Sequence, residues 1–250
     1  MRVIILAGGA GSRLDEVTKT IPKPLVKVGK FPILIYIMKI YLNYGVNDFI
    51  LALGYKGEKI VEYFTKNKIN QKVKNQLKTG FRFKTKLFKK DCNLTFLDTG
   101  QKTMTGGRLK RAAKIFKDKN FYLTYGDGLS SINISKLKKF HFKKKKLVTI
   151  TAVRPPARFG ELKIKNNNVL SFSEKKPITT SWINGGFFII NKKFLNFIKN
   201  DSSILEQYPL EKAAKIGQLS AYKHTKFWQC MDTKRDMDKL KVALKKKIRF

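Results

Sequence analysis

Apolar residues run without a break through Val3 to Ala7, in a segment that opens at Arg2 and stops at Gly8-Gly9-Ala10-Gly11. A short continuous apolar run closed by a turn signal reads as a strand buried on both faces. Phe31 to Tyr44 then shows apolar residues at helical spacing and stops at Gly45. The alternation continues with a strand over Phe49 to Leu53, a helix over Glu58 to Lys66, a strand over Leu94 to Asp98 and a helix over Gly107 to Phe116. A strand over Phe121 to Tyr125, a helix over Ile134 to Phe142 and a strand over Leu147 to Val153 complete it. Strands alternating with helices predict an α/β fold: a mostly parallel, dinucleotide-binding-like sheet with helices on both faces. Right-handed crossovers then place the loops that follow the strands along one edge.

Asn67 to Asp91 breaks this rhythm, being polar, basic and without firm periodicity. It reads as an excursion from the core, a lid or an oligomer contact. After Pro156 the pattern becomes mixed and richer in strands. Phe159 to Phe172 predicts two strands around the turn Asn166-Asn167-Asn168. Ile183 to Ile190 predicts a buried strand, Lys192 to Ile198 and Pro209 to Ile216 helices, and Leu219 to Lys223 a strand. Thr233 to Lys247 reads as a closing basic helix. No repeat or flexible linker divides the chain, so one domain over 1–250 is expected, with 1–153 as its core and 154–250 docked onto it.

Composition changes this picture little. With 42% hydrophobic and 28% charged residues in 250, the chain is of ordinary globular type. Charge stands out: 54 Lys+Arg against 17 Asp+Glu give a formal +37. Such a chain is drawn to polyanions, yet the lysines are scattered, and the aromatics fall in apparent core elements. No nucleic-acid partner is therefore expected. Cys92 and Cys230 stand far apart, and His141 and His224 are isolated, so neither a disulfide framework nor a zinc site is indicated. No apolar run approaches the roughly 20 residues of a membrane span, and the N-terminal apolar stretch is too short for a signal core. A cytoplasmic protein without a membrane partner is expected.

Six motifs carry candidate chemistry. Leu6-Ala7-Gly8-Gly9-Ala10-Gly11-Ser12-Arg13-Leu14 follows the first strand, and Lys23 stands between Pro22 and Pro24. Glycines there let backbone N–H groups approach a phosphate or base, while Arg13 and Lys23 supply positive charge. A P-loop is excluded because no Lys-Ser/Thr follows, and a GxGxxG fingerprint starting at Gly9 has Leu14 in its third position. A plain strand-to-helix turn remains open. Thr124-Tyr125-Gly126-Asp127-Gly128 ends another strand and exposes a carboxylate suited to a hard cation, or is a tight Asp-Gly turn. Met231-Asp232-Thr233 offers a second carboxylate, or a helix N-cap. Met104-Thr105-Gly106-Gly107-Arg108, with Thr103 before it, opens a helix and reads as an anion site or a glycine-rich loop with a surface Arg. Ser173-Glu174-Lys175-Lys176-Pro177 could hold sugar hydroxyls and a phosphate. Asn184-Gly185-Gly186 could form a polar wall, and charge clustering or a strand bulge explains these two as well.

Taken together and in this order, the six motifs resemble the sugar-phosphate nucleotidyltransferases over almost the whole chain. LAGGxGxRL with PKP carries the family likeness. MTGGRLKR, TYGDG, RFG, INGGFF and FWQCMDT are more particularly similar to the members that use CTP and glucose 1-phosphate. The resemblance implies transfer of a cytidylyl group to α-D-glucose 1-phosphate, with CDP-glucose and pyrophosphate as products and lipopolysaccharide deoxysugars downstream; a UTP or dTTP sibling is the nearest alternative. It implies nucleotide contacts from Leu6, Ala7, Gly8, Gly9, Ala10, Gly11, Ser12, Arg13, Thr103, Arg108 and Gly126, with Arg13 and Lys23 at the reacting phosphates. Asp127 and Asp232 would hold Mg²⁺, and Glu174, Lys175 and Asn184 the sugar phosphate. A homo-oligomer is expected. Ser12 stands where many relatives carry Thr, and Asn67 to Asp91 matches the family only loosely.

Overall fold

The computed structural model describes residues 1–9, 11, 18–155, 161–173 and 181–246. In chain order its elements are β1 (Val3–Ala7), β2 (Lys27–Val28), β3 (Phe31–Pro32), α1 (Ile33–Leu42), β4 (Asp48–Leu53), α2 (Gly57–Thr65) and α3 (Gln71–Leu77). There follow β5 (Phe81–Leu87), β6 (Lys90–Asp98), α4 (Thr105–Lys114), β7 (Asn120–Tyr125), β8 (Gly128–Ser130), α5 (Ile134–Lys144) and β9 (Val148–Val153). The second half adds β10 (Glu161–Lys165), β11 (Asn168–Ser173), β12 (Ile183–Asn191), α6 (Tyr208–Lys215), β13 (Leu219–His224), β14 (Trp228–Cys230) and α7 (Lys234–Lys245).

Eight strands form the central sheet in the order β13-β9-β12-β7-β1-β4-β6-β5. The pairs β7/β1, β1/β4, β4/β6 and β13/β9 are parallel; β12 runs antiparallel to both neighbours, and β5 to β6. The predicted mostly parallel sheet is therefore present, and the mixed character enters through β12 from the second half and through the edge strand β5.

Strand periodicity divides the core into two layers. Val3, Ile5, Ala7, Phe49, Leu51 and Leu53 face one side, where α1, α2 and α5 cover them through Ile33, Ile37, Ile60, Val61 and Leu137. Ile4, Leu6, Ile50, Ala52, Phe121 and Leu123 face the other, against Leu109, Ala112 and Ala113 of α4 and Leu210 and Ala213 of α6. Because both faces are buried, β1 and β4 are apolar at nearly every position, which is why they read so clearly.

Asn67 to Asp91 is more ordered than its composition suggests. It contains α3, capped by the Asn70 side chain, and β5. In β5 the residues Phe81, Phe83, Thr85 and Leu87 are half-buried while Arg82, Lys84 and Lys86 are exposed. This period-2 alternation marks a half-covered edge strand, and β6 begins at Lys90 to pair with it. The Lys192 to Ile198 stretch is a 3-10 turn over Lys192–Phe197 rather than an α-helix. The Asn turn takes the expected form: Asn166 (φ 49°) and Asn167 (φ 65°) are both left-handed and join β10 to β11. Phe159 lies outside the described residues. Among the described residues no helix is long and apolar enough to cross a membrane.

His141 of α5 is buried against the sheet, with Nδ1 2.8 Å from Thr149 Oγ1. Burial lowers its pKa, and burial does the same to His224. A depressed folded-state pKa favours the neutral ring. The stability it supports is thus complete above the unfolded value of about 6.5 and is lost as pH falls through the lower folded value. Denaturant melts are expected to show falling stability from about pH 7 to about pH 5. His141→Gln should flatten that decline and cost about 1–2 kcal/mol near pH 7.

Candidate active site

The glycines after β1 open a cleft of ≈ 700 Å³ at the carboxyl end of the parallel strands. Leu6, Ala7, Gly8, Gly9 and Gly11 form one side, Gln101 to Thr105 another, and Gly126 and Asp127 the floor. Gly8 cannot be replaced without moving its surroundings, because a Cβ there would lie 2.3 Å from Arg108 Nη1. The same is true of Gly54 after β4, again at 2.3 Å from Arg108 Nη1. Arg108 is buried between these two strand ends. Its Nη1 donates to Leu53 O (2.8 Å) and Thr99 Oγ1 (2.7 Å), and its Nη2 to Gln101 O (3.0 Å). Arg108 thus lines the cleft as a strut beneath the glycine loop, with these donors committed to the protein. It is not the surface Arg of the alternative reading.

The α4 N-terminus does not offer its two glycine N–H groups to an anion. Gly106 N and Gly107 N donate to Ser203 O at 2.9 and 3.3 Å, and Met104 N donates to Asp201 O at 2.8 Å. A neighbouring loop has taken these three N–H groups. The two glycines are explained by that contact: a Cβ would meet Ser203 O at 2.6 Å from Gly106 and Asp201 O at 2.5 Å from Gly107. Thr103, nearly buried, remains in the cleft wall.

Lys23 opens a 3-10 turn over Lys23–Leu25, fixed by the flanking prolines. It is 9% exposed. Its Nζ donates to Asp127 Oδ2 at 2.7 Å and to Asp232 Oδ1 at 2.8 Å. Burial pulls the Lys23 pKa down, but Asp127 and then Asp232 outweigh it, so the net shift is upward and the ammonium stays charged. The short ribbon of β8 and β14 brings the two acids together, with Cys230 opposite Gly128 and Met231 N bonded to Asp127 O at 2.8 Å. Thr233, not Asp232, caps α7, in a reciprocal capping box with Asp236. That division leaves the Asp232 carboxylate to Lys23 rather than to the helix end. The Cys230 thiol lies 3.7 Å from Asp232 Oδ2, and burial, followed by the nearby carboxylates, pushes its pKa up to about 12.

A second cleft of ≈ 310 Å³ adjoins the first. Gly185, Trp228, Cys230, Asp232 and Lys239 contribute to it, and Tyr125, Asp127 and Asn184 belong to both clefts. Asn184 and the two glycines form a bulge in β12, where the register against β9 shifts. The bulge reading holds, and Asn184 lines both clefts. Asn184 Oδ1 accepts from Gly186 N at 2.8 Å, its Nδ2 donates to Tyr125 OH at 3.1 Å, and Trp228 Nε1 donates to Gly185 O at 2.8 Å. The Tyr125 hydroxyl in turn donates to Glu206, whose other oxygen accepts from Thr105 at 2.7 Å. Burial and then Glu206 raise the Tyr125 pKa, so it remains a phenol.

The structure therefore brings Leu6 to Gly9, Gly11, Lys23, Thr103, Arg108, Gly126, Asp127, Asn184 and Asp232 to one pair of clefts. Ala10, Ser12, Arg13, Glu174 and Lys175 lie outside the described residues. Tyr125, Glu206 and Lys239 are cleft residues that the motifs do not single out. Tyr125 sits inside a motif but reads as a strand residue, and neither Glu206 nor Lys239 has a local glycine or charge pattern to mark it.

Two hard carboxylates converging on one cation suit a divalent metal whose other positions are filled by phosphate and water oxygens. In this structure the cation between them is the Lys23 ammonium.

Comparison with known proteins identifies the family. The family model for nucleotidyl transferase matches residues 2–233. The glucose-1-phosphate cytidylyltransferase of Salmonella typhimurium is 44% identical over 243 residues, covering 94% of this chain and 93% of the relative. A probable glucose-1-phosphate cytidylyltransferase of Bacillus subtilis is 40% identical over 238 residues, covering 95% and 93%. Among solved structures, HddC from Yersinia pseudotuberculosis superposes with a TM-score of 0.70 at 27% identity, covering 97% of this chain and 99% of that one. The family match takes in Lys23 and both carboxylates, and the chain belongs to the nucleotidyl transferase family.

Proposed function

We propose that this protein transfers the cytidylyl group of CTP to α-D-glucose 1-phosphate, giving CDP-glucose and pyrophosphate. One observation carries the reading: Asp127 and Asp232 meet at Lys23 where a glycine-walled cleft joins a smaller one. A two-substrate transfer needs such a junction, with charge-stabilising groups at the meeting point. The choice of CTP and glucose 1-phosphate is supported by the named activity of relatives 40–44% identical to this chain.

In this reading the nucleotide lies against Leu6 to Gly11 with its phosphates toward Lys23. Ser12 and Arg13 complete the phosphate contacts, and Thr103 and Gly126 complete the wall. Arg108 acts through the glycine loop that it supports. Asn184, Glu174 and Lys175 hold the sugar phosphate. A phosphate oxygen of glucose 1-phosphate attacks the α-phosphorus of CTP in line. The bond from that phosphorus to the β-phosphate breaks, and pyrophosphate leaves. No covalent intermediate is needed, because the nucleophile is already an anion. Asp127 and Asp232 would hold Mg²⁺, which, when bound, offsets charge on the phosphates. Lys23 adds a positive charge that persists at neutral pH. The same proposal places a homo-oligomer in the cytoplasm, without nucleic-acid or membrane partners. The exposed Val169 and Leu170 of β11 offer apolar surface for self-association.

Pyrophosphate release from glucose 1-phosphate and Mg²⁺ is expected with CTP in clear preference to UTP, dTTP, ATP or GTP; preference for another nucleotide would overturn the base assignment. Asp127→Asn and Asp232→Asn should each lower kcat by roughly 10³-fold or more while leaving the thermal melt cooperative. Lys23→Met should lower kcat by roughly 10²–10³-fold, and a change confined to KM would remove it from the transition state.

A further inference from the structure

Lys23 occupies the position between the two acids that a metal would need. Its Nζ is 2.7 Å from Asp127 Oδ2 and 2.8 Å from Asp232 Oδ1, and both acids come from segments far away in sequence. A small hard dication binds carboxylate oxygens at about 2.1 Å, so one bridging these same two oxygens would lie within a few ångström of the ammonium. Like charges at that separation repel, more strongly at a partly buried site than in water. Lys23 also lines the nucleotide cleft, so a triphosphate there lies within reach of its four-carbon stem.

Building on the nucleotidyl-transfer reading above, we propose that Lys23 is a resident counter-ion that fills the Asp127–Asp232 pair in the free enzyme and is exchanged for the metal when the nucleotide arrives. In the free protein two neighbouring carboxylates would repel each other, and the ammonium keeps them together. With a metal–triphosphate complex in the cleft, Asp127 and Asp232 would hold the metal and the Lys23 ammonium would pair with the phosphates. Both charges stay paired throughout. Free enzyme therefore binds a divalent ion weakly, and metal and nucleotide enter together.

The test is Mn²⁺ binding to nucleotide-free enzyme, followed by the electron paramagnetic resonance of unbound Mn²⁺. Wild type should bind weakly. Lys23→Met should bind Mn²⁺ roughly tenfold or more tightly, and Lys23→Gln should do the same if the methionine variant fails to fold. Adding Asp127→Asn to either variant should remove the gain. Unchanged or weaker binding in the folded single variants overturns the proposal, as does a gain that survives Asp127→Asn. Wild-type turnover reads the functional proposal separately. An active enzyme whose variants bind Mn²⁺ no more tightly loses the counter-ion role and keeps the reaction. An inactive enzyme with the expected Mn²⁺ pattern keeps the counter-ion role and loses the reaction.

Discussion

The ammonium of Lys23 between Asp127 and Asp232 is the contact on which the site depends. The three residues come from the loop after β1, the end of β7 and the end of β14, and they meet within hydrogen-bond distance. Two carboxylates drawn to one point repel each other, and the ammonium bonded to both offsets that repulsion. A buried ion pair of this kind adds little net stability on its own, but removing one member leaves uncompensated charge. The triad thus specifies where the chain segments sit more than how tightly the molecule folds.

The frame around the triad is built from close approach. Arg108 fills the space between the ends of β1 and β4, and Gly8 and Gly54 are glycines because a side chain would collide with its guanidinium. The glycines of the first loop therefore serve two purposes at once. They leave the backbone open toward the cleft and let Arg108 brace it from behind. The same logic appears at α4, where Gly106 and Gly107 admit the loop of Asp201 and Ser203. That loop carries Glu206 to the rim of the cleft, where Tyr125 and Thr105 hold it. The two clefts share Tyr125, Asp127 and Asn184, so their walls are mechanically continuous.

Legibility in the sequence followed burial. Strands β1, β4 and β7 are buried on both faces, and their continuous apolar runs are visible without any partner in view. Edge strand β5 is buried on one face only; its alternation of Phe81, Phe83 and Leu87 with Arg82, Lys84 and Lys86 is weaker and lies in a basic stretch. Strand β10 was legible chiefly through its turn, since Asn-Asn accepts the left-handed conformation that a two-residue hairpin requires.

At the site, the chain by itself determined the residue types: glycines after a buried strand, a lysine between prolines, two acids after strands, and the order that carries the family likeness. Local chemistry could not decide between Asp232 as a helix cap and Asp232 as a ligand. The distinction turns on Thr233 taking the cap, which requires Asp236 one turn later to reach back. Nor could local chemistry decide whether Gly106 and Gly107 face an anion or a neighbouring carbonyl, since the loop that fills that space lies about a hundred residues away. Glu206 carries no local mark because it becomes a cleft residue only through Tyr125 and Thr105. Residue identity and periodicity are encoded in neighbours along the chain, whereas the pairing of charges and the occupation of backbone donors are set by segments that meet only after folding.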